Sequence, residues 1–219
     1  MNQLARPIAA ITVLVVSSVG LADPLNLVRT PPDIMAGYVT VTYDKDSSLL
    51  SLSGFPLTFT PDGIQSFAFD FASNLSFQIN STVTTGGVAT DGRLTITGDV
   101  TVNGQLYSGT LVSGKLESFG YTPPGEGALI LEFLFTSTGG SMSNYFNGSR
   151  GPIGVMADAN FPAFEGFGAS FANQEYAGVA DVYQTPSPPA FLLGLLGLGS
   201  MVVYRRVSLV RFWKRGASA

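Results

Sequence analysis

The chain has 219 residues, 45% of them apolar and 12% charged, with no cysteine, no histidine and a formal net charge of −4. The missing cysteines exclude disulfides and thiolate sites, and the missing histidines remove the commonest general base and the commonest neutral metal ligand. Charge is unevenly spread: residues 23–185 hold all 15 acids but only Arg29, Lys45, Arg93, Lys115 and Arg150, a net −10. That balance repels nucleic acid and anionic surfaces.

At the N-terminus, Arg6 is the only charge before an apolar run over 8–21 (IAAITVLVVSSVGL). Gly20 and Ala22 place small residues at the −3 and −1 positions of a cleavage site between Ala22 and Asp23. This is the layout of a secretory signal peptide, and the run is shorter than the roughly 20 residues of a comfortable span. Residues 1–22 are expected to be a removable signal peptide and residues 23–185 a single domain.

The domain alternates apolar and polar residues between closely spaced turn signals, as in strands buried on one face. Residues 38–44 (YVTVTYD) and 49–53 (LLSLS) predict a hairpin. Val39, Val41 and Tyr43 should face one way, and 44–47 (DKDS) should make the turn. Phe67, Phe69 and Phe71 follow at period two and are expected to put three rings on one face. Leu75, Phe77 and Ile79 repeat the alternation, and 84–87 (TTGG) is a loop. A strand over 94–102 leads into Asn103-Gly104, a strong two-residue hairpin signal. The return strand is expected over about 105–116, with Gly109 and Gly114 at bends or bulges.

After the break at 123–125 (PPG), residues 128–135 (ALILEFLF) read as a central strand buried on both faces. Glu132, its one charge, is expected at an edge or paired with a base. Residues 139–160 read as one long connection. Phe161, Phe164, Phe167 and Phe171 suit a helical spacing, but Gly166 and Gly168 oppose it and favour a glycine-rich strand over about 164–171. A last strand is expected over 177–183. About nine short strands predict an all-β antiparallel sandwich or flattened barrel.

Chemistry-bearing groups are sparse. Asp44 and Asp46 flank Lys45 without the spacing or glycine of a calcium loop and read as a turn. Asp158, Glu165 and Glu175 converge only if the later loops fold together. No nucleophile, base and orienting group assemble into a catalytic set, so no enzyme, metal or cofactor is expected. Phe67, Phe69, Phe71, Phe133 and Phe135 read as core. Tyr145 and Phe146, beside Asn147-Gly148, are the ring pair expected to be exposed. Asn74, Asn80 and Asn147 each open an N-glycosylation sequon.

The C-terminal 34 residues are of another kind. Pro186-Ser187-Pro188-Pro189 precedes an apolar, glycine-spaced run over 190–204 (AFLLGLLGLGSMVVY). Arg205, Arg206, Arg211, Lys214 and Arg215 follow. The pattern predicts a single membrane-inserted helix whose basic end stays cytoplasmic while the domain crosses, with Gly194, Gly197 and Gly199 offering close approach to another helix. No LPxTG-like motif is present, and a GPI signal lacks a terminal basic cluster.

Residues 186–188 (PSP), the run AFLLGLLGLG and Arg205-Arg206 together resemble the PEP-CTERM sorting signal of exported bacterial proteins. Ser187 replaces the family's usual glutamate, and 13 residues follow Arg206 where the family usually stops. The resemblance implies an exosortase-like membrane enzyme as a partner, with Pro186, Ser187 and Pro188 as its recognition site. It also implies an exported surface or matrix protein in an exopolysaccharide or biofilm setting. Pieces of the domain (VTYDKDSSLLSLSG, SGTLVSGKLESFGY, LEFLFTSTGG, FGASFANQ) are similar to domains that carry such tails. The alternatives are a glycan- or calcium-binding extracellular module and, more remotely, a hydrolase.

Overall fold

The computed structural model describes residues 23–185, apart from 124, 127, 149, 162–163 and 174–176. The expected signal peptide (1–22) and the sorting and anchor segment (186–219) lie outside the described residues. Among the described residues no helix is long and apolar enough to cross a membrane.

The described chain is all-β. Its strands are β1 (Thr30–Asp44), β2 (Leu49–Thr60), β3 (Phe67–Ala68), β4 (Ser76–Val83), β5 (Ala89–Thr97) and β6 (Val100–Val102). Then come β7 (Gln105–Tyr107), β8 (Thr110–Tyr121), β9 (Ile130–Gly139), β10 (Pro152–Asp158), β11 (Phe171–Ala172) and β12 (Gly178–Gln184). A short 3-10 turn spans Ser143–Phe146. Around the wall the order is β1, β2, β4, β5, β8, β9, β10, β12 and back to β1, antiparallel at every step. Because β1 pairs with both β2 and β12, the wall closes into an eight-stranded barrel rather than an open sandwich.

The hairpin at the heart of this wall is the one the alternation predicts. Val41 lies opposite Leu52 and Tyr43 opposite Leu50, and all four side chains are buried. Asp44 ties the turn: its carboxylate accepts from the Asp46 amide at 3.0 Å and from the Ser47 hydroxyl at 2.7 Å. Both strands run further than expected, through Pro31, Pro32 and Pro56, which lack the N–H that a ladder uses. Pro56 is tolerated because it sits at a register shift, where Ala36 pairs with Pro56 after Met35 pairs with Thr58.

Eight strands enclose an interior just wide enough for side chains to fill. Val39, Phe77, Ile79, Leu94, Ile96, Leu131, Phe133, Phe135, Val155 and Val182 fill it, each at most 1% exposed. Both mouths are closed. At the end where the chain leaves β12, here the exit end, the β6–β7 hairpin lies across the opening with Val100 and Val102 buried. Asn103 and Gly104 turn that hairpin with φ of 52° and 82°, the left-handed pair its turn type needs. Tyr145 packs edge-on against Phe59 at 5.0 Å and meets the Tyr107 hydroxyl at 3.4 Å. At the far end, Phe164, Phe167 and Phe171 plug the mouth against Tyr43 and Tyr121. The Phe167 ring stands edge-on to Tyr43 at 4.9 Å and to Tyr121 at 5.1 Å.

Four expectations are corrected here. Residues 164–171 are not a strand: only Phe171–Ala172 pairs, and the rest is a loop whose rings are buried as the far-end plug. The stretch 139–160 is not all connection, since Pro152–Asp158 forms β10 between β9 and β12. Residues 94–102 are two strands, parted where Gly98 takes φ 148°. Phe71 does not join Phe67 and Phe69 on a common face: the chain leaves the ladder after Ala68, Phe69 is buried, and Phe71 is 69% exposed.

The far-end plug is held by Asn173. Its side-chain oxygen accepts from the Val41 amide, and its amide donates to the carbonyls of Val39 and Ala159. Replacing Phe167 with alanine is expected to cost about 3–5 kcal/mol, the range for a buried ring, read as a lower midpoint in urea unfolding with an unchanged slope.

Candidate binding groove

Among the described residues the barrel interior is filled with side chains and both mouths are covered. The outer wall has an aromatic groove. It has a volume of about 620 Å³ and is lined by Tyr38, Phe55, Phe71, Ser73, Asn74 and Leu75. Tyr38 is 56% exposed, Phe55 41% and Phe71 69%.

Each ring is placed by a local device. Tyr38 sits in the register shift of β1 between Ala36 and Val39 and takes φ 55°. Among the described residues, the other non-glycine positions with positive φ are four asparagines and Ser48, all turn formers. A bulky residue held there is an outlier that costs on the order of 1–3 kcal/mol, strain that tends to mark functional surfaces. Phe55 lies opposite Gly37 on β2. Phe71 rides on a tied loop: Asp70 accepts from the Ala72 amide at 2.9 Å, and the Asp70 carbonyl from the Ser73 amide at 3.0 Å. The loop is stapled to the neighbouring chain, because the Asp99 amide donates to the Ser73 hydroxyl and the Thr97 hydroxyl donates to the Asn74 carbonyl. An exposed ring on a fixed loop is pre-organised, so binding to it orders little.

A second cleft, of about 450 Å³, shares Ser73 and Asn74 with the first and adds Thr97, Asp99 and Thr110. Apolar rings beside a few polar groups are the usual lining of a small-molecule or sugar site. The ring faces carry the negative side of the aromatic quadrupole, which suits the C–H faces of pyranose rings.

A different cluster lies on the outer face of β1, β12, β10 and β9, where residues 23–29 run across the wall as a strap. Glu132, 4% exposed, accepts from the Asn26 amide at 3.0 Å and the Leu27 amide at 3.3 Å. It therefore lies mid-wall, not at an edge, and its partners are backbone amides rather than a base. Two such bonds offset part of the cost of burying a carboxylate. Gly120 leaves room for the strap, since a Cβ there would stand 2.9 Å from the Leu25 nitrogen. Tyr183 lies flat over Gly154, where a Cβ would meet its ring at 2.5 Å. Its hydroxyl and one oxygen of Asp33 are buried with no hydrogen-bond partner among the described residues. Burial, then the charge of Glu132, pushes Tyr183 up to about 12. Arg29 pairs with Asp181 and closes the strap.

The remaining sequence candidates do not assemble a site. Asp44 and Asp46 form the plain turn described above. Asp158 accepts from the Asn160 amide at 2.8 Å, and Glu175 is outside the described residues. Among the described residues no three acids gather to hold a metal ion. Tyr145 and Phe146 are not an exposed pair: Phe146 is fully buried and Tyr145 half-buried in the exit-end plug. Asp23 is exposed at the start of the strap. Ala22, Pro186, Ser187, Pro188, Arg205, Arg206, Arg211, Lys214 and Arg215 lie outside the described residues. The groove rings Tyr38, Phe55 and Phe71 were missed as a site. The turn formers around Phe71 in Asp70-Phe71-Ala72-Ser73-Asn74 were the one signal that it leaves the strand.

Comparison with protein-family models, curated proteins and solved structures finds no match to this chain.

The strap cluster yields a pH prediction. Burial, then repulsion from Asp181, raises Asp33 to about 6, with Arg29 opposing. The folded state then binds the proton more tightly than the unfolded chain does. The stability this gives is full below the ordinary carboxyl range near 4 and is lost as pH rises through about 6. Asp33→Asn is expected to flatten the melting temperature between pH 4 and 7 and to raise it at pH 7. An unchanged pH slope in thermal scans would count against this assignment.

Proposed function

We propose that the chain is an exported cell-surface or matrix protein whose barrel holds a neutral extracellular polysaccharide in the groove of Tyr38, Phe55 and Phe71. The observation that carries the reading is the set of three exposed rings beside Ser73 and Asn74 on a loop tied by hydrogen bonds. The ligand is neutral because the domain carries −10 and would repel an acidic polymer.

Export and retention rest on the two ends: the signal-like 1–22 and the PEP-CTERM-like 186–219, with Pro186, Ser187 and Pro188 as the site for an exosortase-like enzyme. In this reading the protein works by adhesion, first tethered through its C-terminal helix and then released or transferred when the tail is cut. No bond is made or broken in the groove.

Calorimetry of the 23–185 domain against neutral oligosaccharides of increasing length tests the groove. Affinity should rise with chain length, and Phe71→Ala should weaken it about tenfold, or about 1.4 kcal/mol. Because Phe71 is 69% exposed, its melting temperature should stay within about 1–2 °C of the parent. No heat with any neutral glycan, or equal binding by the Phe71 and Tyr38 variants, would defeat the reading.

A further inference from the structure

The topology also fixes which end of the barrel faces the membrane, given the C-terminal anchor just proposed. β12 ends at the exit end, where Gln184 lies opposite Thr30 and accepts from the Thr30 hydroxyl at 2.6 Å. Only Pro186, Ser187, Pro188 and Pro189 separate Thr185 and the end of the described chain from the apolar run beginning at Ala190. Even at full extension, four residues of chain reach no more than about 14 Å. A domain tethered so closely at one mouth has little freedom to turn that mouth away from the bilayer.

Among the described residues, that mouth carries the two most exposed aliphatic side chains. Ile64 is 89% exposed and Leu106 62%. Ile64 stands in the turn between β2 and β3, and this turn is shaped from within. Asp62 accepts from the amides of Ile64 and Gln65 at 2.9 and 3.0 Å, so the acid is engaged by its own backbone while the isoleucine projects. Leu106 sits on the β6–β7 hairpin that covers the mouth. Val100 and Val102 face the core; Leu106 pairs with Thr101 on the opposite face, because alternate residues of a strand face opposite ways. Leu106 therefore points out of the mouth, away from the barrel. The far-end turns present Lys45, Asp46 and Ser47, then Thr84, Thr85, Gly86 and Gly87, and the aliphatic side chains beside them, Val88 and Leu49, are less exposed, at 44% and 42%.

We propose that the barrel stands on the membrane surface by its exit end, with Ile64 and Leu106 dipping into the headgroup layer of a zwitterionic bilayer. Short aliphatic tips suffice for this, because the anchor supplies the affinity and the tips need only set orientation. Asp62 and Asp99 beside them disfavour an anionic surface. The strap's first residue, Asp23, lies by Gly120 towards the opposite end, so the membrane-facing mouth is clear of it.

The chain has no cysteine, so single probes are clean. The full chain, including its C-terminal segment, would be placed in nanodiscs of phosphatidylcholine and phosphatidylethanolamine containing nitroxide-headgroup lipid. Fluorophores would be attached at Ile64→Cys, Leu106→Cys and, at the far end, Val88→Cys. Quenching at 64 and 106 is expected to be at least about threefold stronger than at 88. Equal quenching at the three sites, or strongest quenching at 88, overturns the orientation while leaving the anchor standing. Failure of the full chain to enter nanodiscs removes the anchor and this inference together.

Discussion

Closure of the wall through β1 is the constraint on which the rest depends. One strand of 15 residues pairs along its length with β2 on one side and with β12 and then β11 on the other. Closure leaves the wall no free edge on which another strand could add. It also sets the interior size, and at eight strands that interior is consumed by packing. The protein therefore meets its surroundings through features laid on the outer wall and around the mouths.

Those features divide by physical character. On one side the strap region buries the Glu132 carboxylate, the Tyr183 phenol and one oxygen of the half-buried Asp33. This makes a polar seam whose stability responds to protonation. On another side, the irregular register of β1 and the stapled loop after β3 hold aromatic rings open to solvent. The strained Tyr38 backbone connects the two ideas: among the described residues the fold buries most large rings, leaves three exposed, and tolerates an unfavourable conformation to place one of them.

Much of the wall was legible because period-two alternation is a direct imprint of a surface with one wet face and one dry face. The β1–β2 hairpin, the Asn103-Gly104 turn and the last strand all follow from it. What failed to show follows from contacts that no local pattern encodes. Pro152 and Gly154 read as loop, yet Gly154 is the gap that Tyr183 of a neighbouring strand fills. Phe164 and Phe167 read as strand because their burial, Phe167 against Tyr43 and Phe164 against Tyr121, is set by the shape of a barrel mouth and not by local pattern. Glu132 looked like an edge charge because its partners are backbone amides of residues 26 and 27, which carry no signature in the sequence. Phe71 continued a convincing alternation for one position beyond the point where the ladder stops.

The placement of β12 has a mechanical side. It is the last strand before the chain leaves the barrel, and it is flanked by β1 on one side and β10 on the other. Consider a pull on the exit along the axis of β12. Its ladders on both sides are then stretched lengthwise together, so many hydrogen bonds share the force at once instead of parting one by one as in a peeled hairpin. The geometry that closes the barrel thus also lets the wall resist extension at the exit of β12.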